Sequence, residues 1–122
     1  MWILSGMAGI VVAYLLNSAV VKRYGERAVI YIVPFIEESS KTVFGYMTSS
    51  ILASHFMFGI AEAVNDYTKA SYKINGRAAV LSILSHSIFG VISYVLVEKV
   101  NLFVAILSAS LLHLLWNRFM LR

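Results

Sequence analysis

The chain contains no cysteine and a single proline, and only 13% of its 122 residues carry a formal charge. Without cysteine there is neither a disulfide framework nor a thiolate zinc site, so any metal has to be held by His, Asp or Glu. A soluble domain is about 25% charged and about 45–50% apolar. Here 60% of residues are hydrophobic and the mean hydropathy is +0.80, which leaves too little polar surface to cover a water-exposed globule. These shortages imply a membrane environment. The length excludes a (β/α)8 barrel, which needs about 250 residues, and fits a single domain. All-helical, it can supply about five spans at roughly 20 residues each. The expected fold is therefore an all-α, polytopic membrane helix bundle, one transmembrane domain over residues 1–122.

What charge there is has a pattern. The net charge of +4 raises nucleic acid as a partner, since basic clusters are its electrostatic footprint. The distribution argues against it. Lys22, Arg23 and Arg27 follow one apolar run; Lys69, Lys73 and Arg77 sit in a polar stretch; Arg118 and Arg122 close the sequence. Cations in loops between apolar runs set membrane orientation, and the bilayer is the partner they indicate.

Met1 to Val21 is uncharged and long enough to cross as a helix. Its cations come after it, unlike those of a secretory signal peptide, so residues 1–21 are read as a retained N-terminal anchor. A second apolar stretch runs from Ala28 to about Thr48, with Pro34, Glu37, Glu38 and Lys41 inside it. Gly45, Thr48, Ser49 and Ser50 offer a turn, after which Ile51 to Val64 is apolar again. Arg77 to Val97 and Leu102 to Met120 complete a four-helix core over residues 28–120. Five spans put the eight cations named above on one side, with the N-terminus out and the C-terminus in. A four-span alternative, with residues 37–41 as a polar turn, would split the basic loops between the two sides. The location expected is the plasma membrane, multi-pass.

A charge at mid-membrane costs from about 3 to above 10 kcal/mol, so intramembrane ionisable residues mark sites or pathways by default. Glu37 and Glu38 lie ten and eleven residues beyond Arg27, about 15 Å in at 1.5 Å per residue. His86 is nine residues from Arg77, and His113 and Glu62 are shallower on the same side. Four spans thus bring carboxylates and imidazoles into the cytoplasmic half of the membrane. Spacing adds to this: Glu37 and Lys41 are i,i+4, Glu38 and Lys41 i,i+3, and His113 shares a face with Asn117. Two acids against one base leave a carboxylate over. His55 is read as interhelical glue and Asp66 as interfacial. Carboxylates beside histidines in a site shielded from lipid suit hydrolysis, in which water is polarised, Glu takes its proton, and an amide stabilises the oxyanion. Neither a GxSxG nor an HExxH motif occurs.

These residues also carry a resemblance. Glu37-Glu-Ser-Ser-Lys41 matches an EExxK motif; Phe58-Gly-Ile-Ala-Glu62 with Asn65 is similar to a GFAxxEN-type second motif; Arg77 to Gly90 with His86 looks like a third; His113-Leu-Leu-Trp-Asn117 matches a fourth, HxxxN. In this order, each on its own helix, they resemble the PrsW family of intramembrane proteases, in the superfamily that includes the CAAX prenyl endopeptidases, over about residues 34–120. The resemblance implies a glutamate-dependent membrane endopeptidase acting on a membrane-embedded or membrane-proximal peptide. It implies Glu37 and Glu38 as the catalytic pair, one of them the general base. Glu62 takes the second-motif position, catalytic or metal-binding, His86 and His113 the histidine positions, and Asn117 the oxyanion-stabilising position. A zinc ion held by His86, His113 and Glu62 and a metal-free Glu–His mechanism both stand open. The superfamily also resembles a non-proteolytic scaffold subunit of gamma-secretase, so a membrane scaffold is the alternative function. An ion or proton transporter ranks third, since the unequal spans show no repeat symmetry.

Overall fold

A computed structural model describes residues 1–69 and 75–120, and among them it is all-helical. Lys73 and Arg122, two of the cations expected to set orientation, lie outside the described residues. Helix α1 spans Trp2–Tyr24, α2 Arg27–Tyr31, α3 Val33–Met47, α4 Ile51–Lys69, α5 Asn75–Lys99 and α6 Leu102–Met120. Three of them, α1, α5 from Gly76, and α6, are long and apolar enough to cross a membrane.

The second apolar stretch, expected as one helix, is divided into α2 and α3 at Ile32. Pro34 explains the division, because it has no N–H to donate and its ring collides with the carbonyl four residues earlier. As the second residue of α3 it sits in the first turn, where a missing donor costs nothing. The expected α3–α4 turn occurs over Thr48–Ser50, with Ser49 at φ 51° and Ser50 N–H donating to Gly45 O at 2.7 Å. At the α5–α6 turn, Asn101 Oδ1 accepts from Val104 N–H at 2.9 Å, capping α6.

Helices α3, α4, α5 and α6 pack in succession around a common interior, α6 closing back on α3, and α1 lies against α3 and α4. Gly6 and Gly9 permit the close approach of α1: a Cβ on Gly9 would stand 3.3 Å from Phe58 and 3.5 Å from Phe44. At that end Ser5 donates to Phe44 O at 2.6 Å.

Burial is inverted relative to a soluble domain. The largest fully buried side chains include Lys41, His55, His86 and Glu38, and much of the buried apolar set is alanine. Leu4, Leu15, Leu84, Val91, Leu111 and Leu115 face outward. Large apolar side chains outside and ionisable ones inside suit hydrocarbon as the solvent, where polar groups must find partners within the protein.

Candidate functional site

The polar interior is assembled from all four core helices. On α3, the three-residue step between Glu38 and Lys41 places both on one face, and Lys41 Nζ sits 2.5 Å from Glu38 Oε1 with both side chains fully buried. Sequence spacing allowed Lys41 to pair with either glutamate; the structure pairs it with Glu38. The same Glu38 oxygen accepts from His113 Nδ1 of α6 at 2.8 Å. Lys41 Nζ reaches His86 Nδ1 of α5 at 2.6 Å, and His86 Nε2 contacts Glu62 Oε2 of α4 directly. The two imidazoles meet edge to face, with ring centroids 5.2 Å apart and planes at 89°.

Glu37 is the carboxylate left over. Its Oε2 stands 3.9 Å from His113 Nε2, and its Oε1 accepts a 2.8 Å hydrogen bond from Asn17 Nδ2 of α1. Where Glu38 is sealed, the Glu37 and Glu62 side chains keep 19% and 39% of their accessibility. Both line a cavity of about 390 Å³ with His86, His113, Asn17 and Asn117. A second cavity of about 710 Å³, lined among others by Lys69, Arg77, Leu81 and Trp116, shares Val29, Glu62, Asn65, Lys69 and Asn117 with the first. The two form one crevice from the acid–histidine cluster toward the basic end of α4 and α5.

Glu37, Glu62, His86 and His113 offer one ligand atom each within 4.8 Å of one another, so this partly buried group has the donors and spacing to hold a metal ion. The set contains the three ligands expected from sequence, His86, His113 and Glu62, and adds Glu37. Asn117, expected to stabilise an oxyanion, lines the cavity while its Nδ2 donates to Val29 O at 3.1 Å. That carbonyl belongs to the last turn of α2, a position helices leave without an internal partner. Asp66 accepts from Ser82 at 2.6 Å and lines the outer cavity. His55 lies apart from the cluster: Nε2 is 3.0 Å from Thr42 Oγ1 and Nδ1 is 3.8 Å from Glu38 Oε2, an interhelical contact as expected.

Two contributions were not read from the sequence. The Lys41–His86 contact joins residues 45 apart, which no local spacing announces. Asn17 had a signal: it is the one amide in the uncharged run from Met1 to Val21, and such residues tend to face the bundle. No family model, curated protein or solved structure matches this chain.

Proposed function

We propose that the protein is an intramembrane, glutamate-dependent endopeptidase that cleaves a membrane-embedded or membrane-proximal peptide. The observation that carries the proposal is the convergence of Glu37, Glu62, His86 and His113 on one partly open cavity within a bundle whose exterior is apolar. Buried ionisable groups with no task are costly, and a scaffold needs no solvent-reachable carboxylate beside two histidines.

Glu37 is the better general base of the adjacent pair. It reaches the cavity, whereas both contacts of Glu38 Oε1 are spent on Lys41 and His113. In hydrolysis, a water held beside Glu37 gives up a proton to its carboxylate as the water oxygen bonds to the scissile carbonyl carbon. The oxyanion then re-forms the C=O as the C–N bond breaks, and the leaving nitrogen takes up the proton held by Glu37. The Asn117 amide is close enough to the cavity to stabilise the developing oxyanion if it turns from Val29 O. A zinc ion fits the two-imidazole, two-carboxylate set, and when bound would polarise the carbonyl and acidify water. The site would lie in the cytoplasmic half of a five-crossing bundle with its N-terminus outside, in which α2 and α3 together form the second crossing.

The test is cleavage of quenched fluorogenic peptides with an apolar-to-polar junction, by purified protein in detergent, for wild type, Glu37→Gln and Glu38→Gln, with and without a chelator. Loss of cleavage in Glu37→Gln supports the assignment. Equal cleavage in all variants overturns it, and cleavage by none of them, wild type included, favours a scaffold. Glu-dependent but chelator-insensitive cleavage selects the metal-free form.

A further inference from the structure

We infer that, with no metal bound, the buried Glu38–Lys41 ion pair holds His86 and His113 in opposite tautomers, making His113 an acceptor and His86 a donor toward the cavity; a metal ion held through His86 Nε2 would have to displace that proton. The donor and acceptor inventory of the contacts leads to this. A lysine ammonium has three N–H donors and no acceptor, and a carboxylate has only acceptors. Lys41 Nζ lies 2.6 Å from His86 Nδ1, so that nitrogen contributes a lone pair and the ring proton sits on Nε2. Nε2 in turn contacts Glu62 Oε2, which can only accept, so the two ends of the His86 ring demand the same tautomer independently. Glu38 Oε1 lies 2.8 Å from His113 Nδ1. There the carboxylate demands the proton on Nδ1, and Nε2 is left with its lone pair.

The geometry on the cavity side follows this assignment. His86 and Glu62, donor and acceptor, are in direct contact. His113 Nε2 and Glu37 Oε2, two acceptors, stand apart at 3.9 Å, too far for a direct hydrogen bond. At that separation one molecule with two O–H donors can serve both. A water so placed has both hydrogens engaged and its oxygen lone pairs turned toward a substrate, which is how a nucleophile is oriented before Glu37 takes its proton. On the opposite side His86 Nε2–H is held by Glu62 and can donate to a developing negative charge once that carboxylate turns away. One ion pair, made by the three-residue step on α3, therefore divides the site into an accepting half and a donating half. Glu38 and Lys41 are positioning residues, acting through His113 and His86. The use assigned to the division rests on the peptidase proposal; the tautomers do not.

The experiment is nitrogen-15 NMR of protein labelled at histidine, stripped of metal with a chelator and reconstituted in lipid nanodiscs without substrate. The three histidines are assigned by single His→Gln substitutions. Expected are a pyrrole-type Nδ1 with a pyridine-type Nε2 at His113, and the reverse at His86. In Lys41→Met, Glu62 still requires the proton on Nε2 and His86 keeps its pattern; in Lys41→Met/Glu62→Met, which removes both partners, the His86 signals shift toward the other tautomer while those of His113 keep their pattern. In Glu38→Gln, the His113 pattern changes first. The same tautomer at both histidines, or two doubly protonated rings, in the wild type overturns the inference whether or not either variant folds. Opposite tautomers in a protein that cleaves no peptide would sink the peptidase proposal and leave the tautomer assignment standing.

Discussion

Two neighbouring carboxylates on α3 meet opposite fates because consecutive residues on a helix point about 100° apart. Glu38 turns into the bundle and is neutralised by Lys41, whereas Glu37 turns toward α1 and the cavity. Their substitutions should therefore separate activity from stability. Glu37→Gln should lower peptide cleavage by about 10²–10⁴-fold, the usual contribution of a general base, and leave the thermal unfolding midpoint in detergent nearly unchanged. Lys41→Ala should do the reverse first. It strips a fully buried carboxylate of its counter-ion, a loss of about 3–5 kcal/mol, visible as a sharply lowered midpoint. Asn17→Leu keeps the side-chain volume but removes the donor that fixes Glu37. A drop in kcat of about 10- to 100-fold is expected from a misdirected base, with KM little changed. An unchanged kcat would show that Glu37 needs no such support.

At the scale of elements, much of the helical pattern was legible. The Gly45–Ser50 turn, the Glu98–Asn101 turn and most of the apolar runs give element ends that the backbone adopts, but α4 continues past the expected end at Val64 to Lys69. The separation of α2 from α3 was less so. Pro34 announced a disturbance, but whether a proline bends a helix or divides it depends on the partners available to the freed carbonyls. Here the carbonyl of Val29 takes the Asn117 amide of α6, 88 residues away in sequence. The cluster of acids and histidines was readable in part from depth, since counting residues from the basic ends places Glu37 and His86 at similar levels, with Glu62 and His113 shallower on the same side. Depth does not report azimuth, so which glutamate takes Lys41, and that α1 contributes Asn17, needed the three-dimensional packing. Helix contacts also make the glycines unequal. A Cβ on Gly45 would come within 2.7 Å of Ile51 Cα, a backbone atom that cannot swing away. Gly76 faces open space. Gly45→Ala should cost about 1–3 kcal/mol through overpacking. Gly76→Ala should be neutral or stabilising by up to about 1 kcal/mol, and thermal unfolding of the two variants side by side would check both.

At the scale of the whole molecule the orientation of the bundle can be tested cheaply, because the absence of cysteine provides a silent background. Single cysteines at Lys22, Lys69 and Lys99 in sealed, oriented vesicles should react with a membrane-impermeant maleimide in two groups. Five crossings put positions 22 and 69 on one side and 99 on the other. Labelling of 22 and 69 from opposite sides would establish the four-crossing alternative, with residues 37–41 near the surface.

The shortness of α3 has a consequence for the lipid itself. Its 15 residues amount to about 22 Å at 1.5 Å per residue, against about 30 Å of hydrocarbon in a typical bilayer. Under the five-crossing proposal, a second crossing in which the break at Ile32 leaves α3 as the only rod along the membrane normal would favour locally thinned bilayer, and each ångström of mismatch has a modest energetic cost. Thinning would bring headgroups and water closer to Glu37 and Glu62 without any movement of the protein. Acyl-chain length thus becomes a control variable: cleavage in vesicles of short-chain phosphatidylcholine should exceed that in long-chain vesicles, whereas equal rates would mean that the crevice admits water independently of membrane thickness.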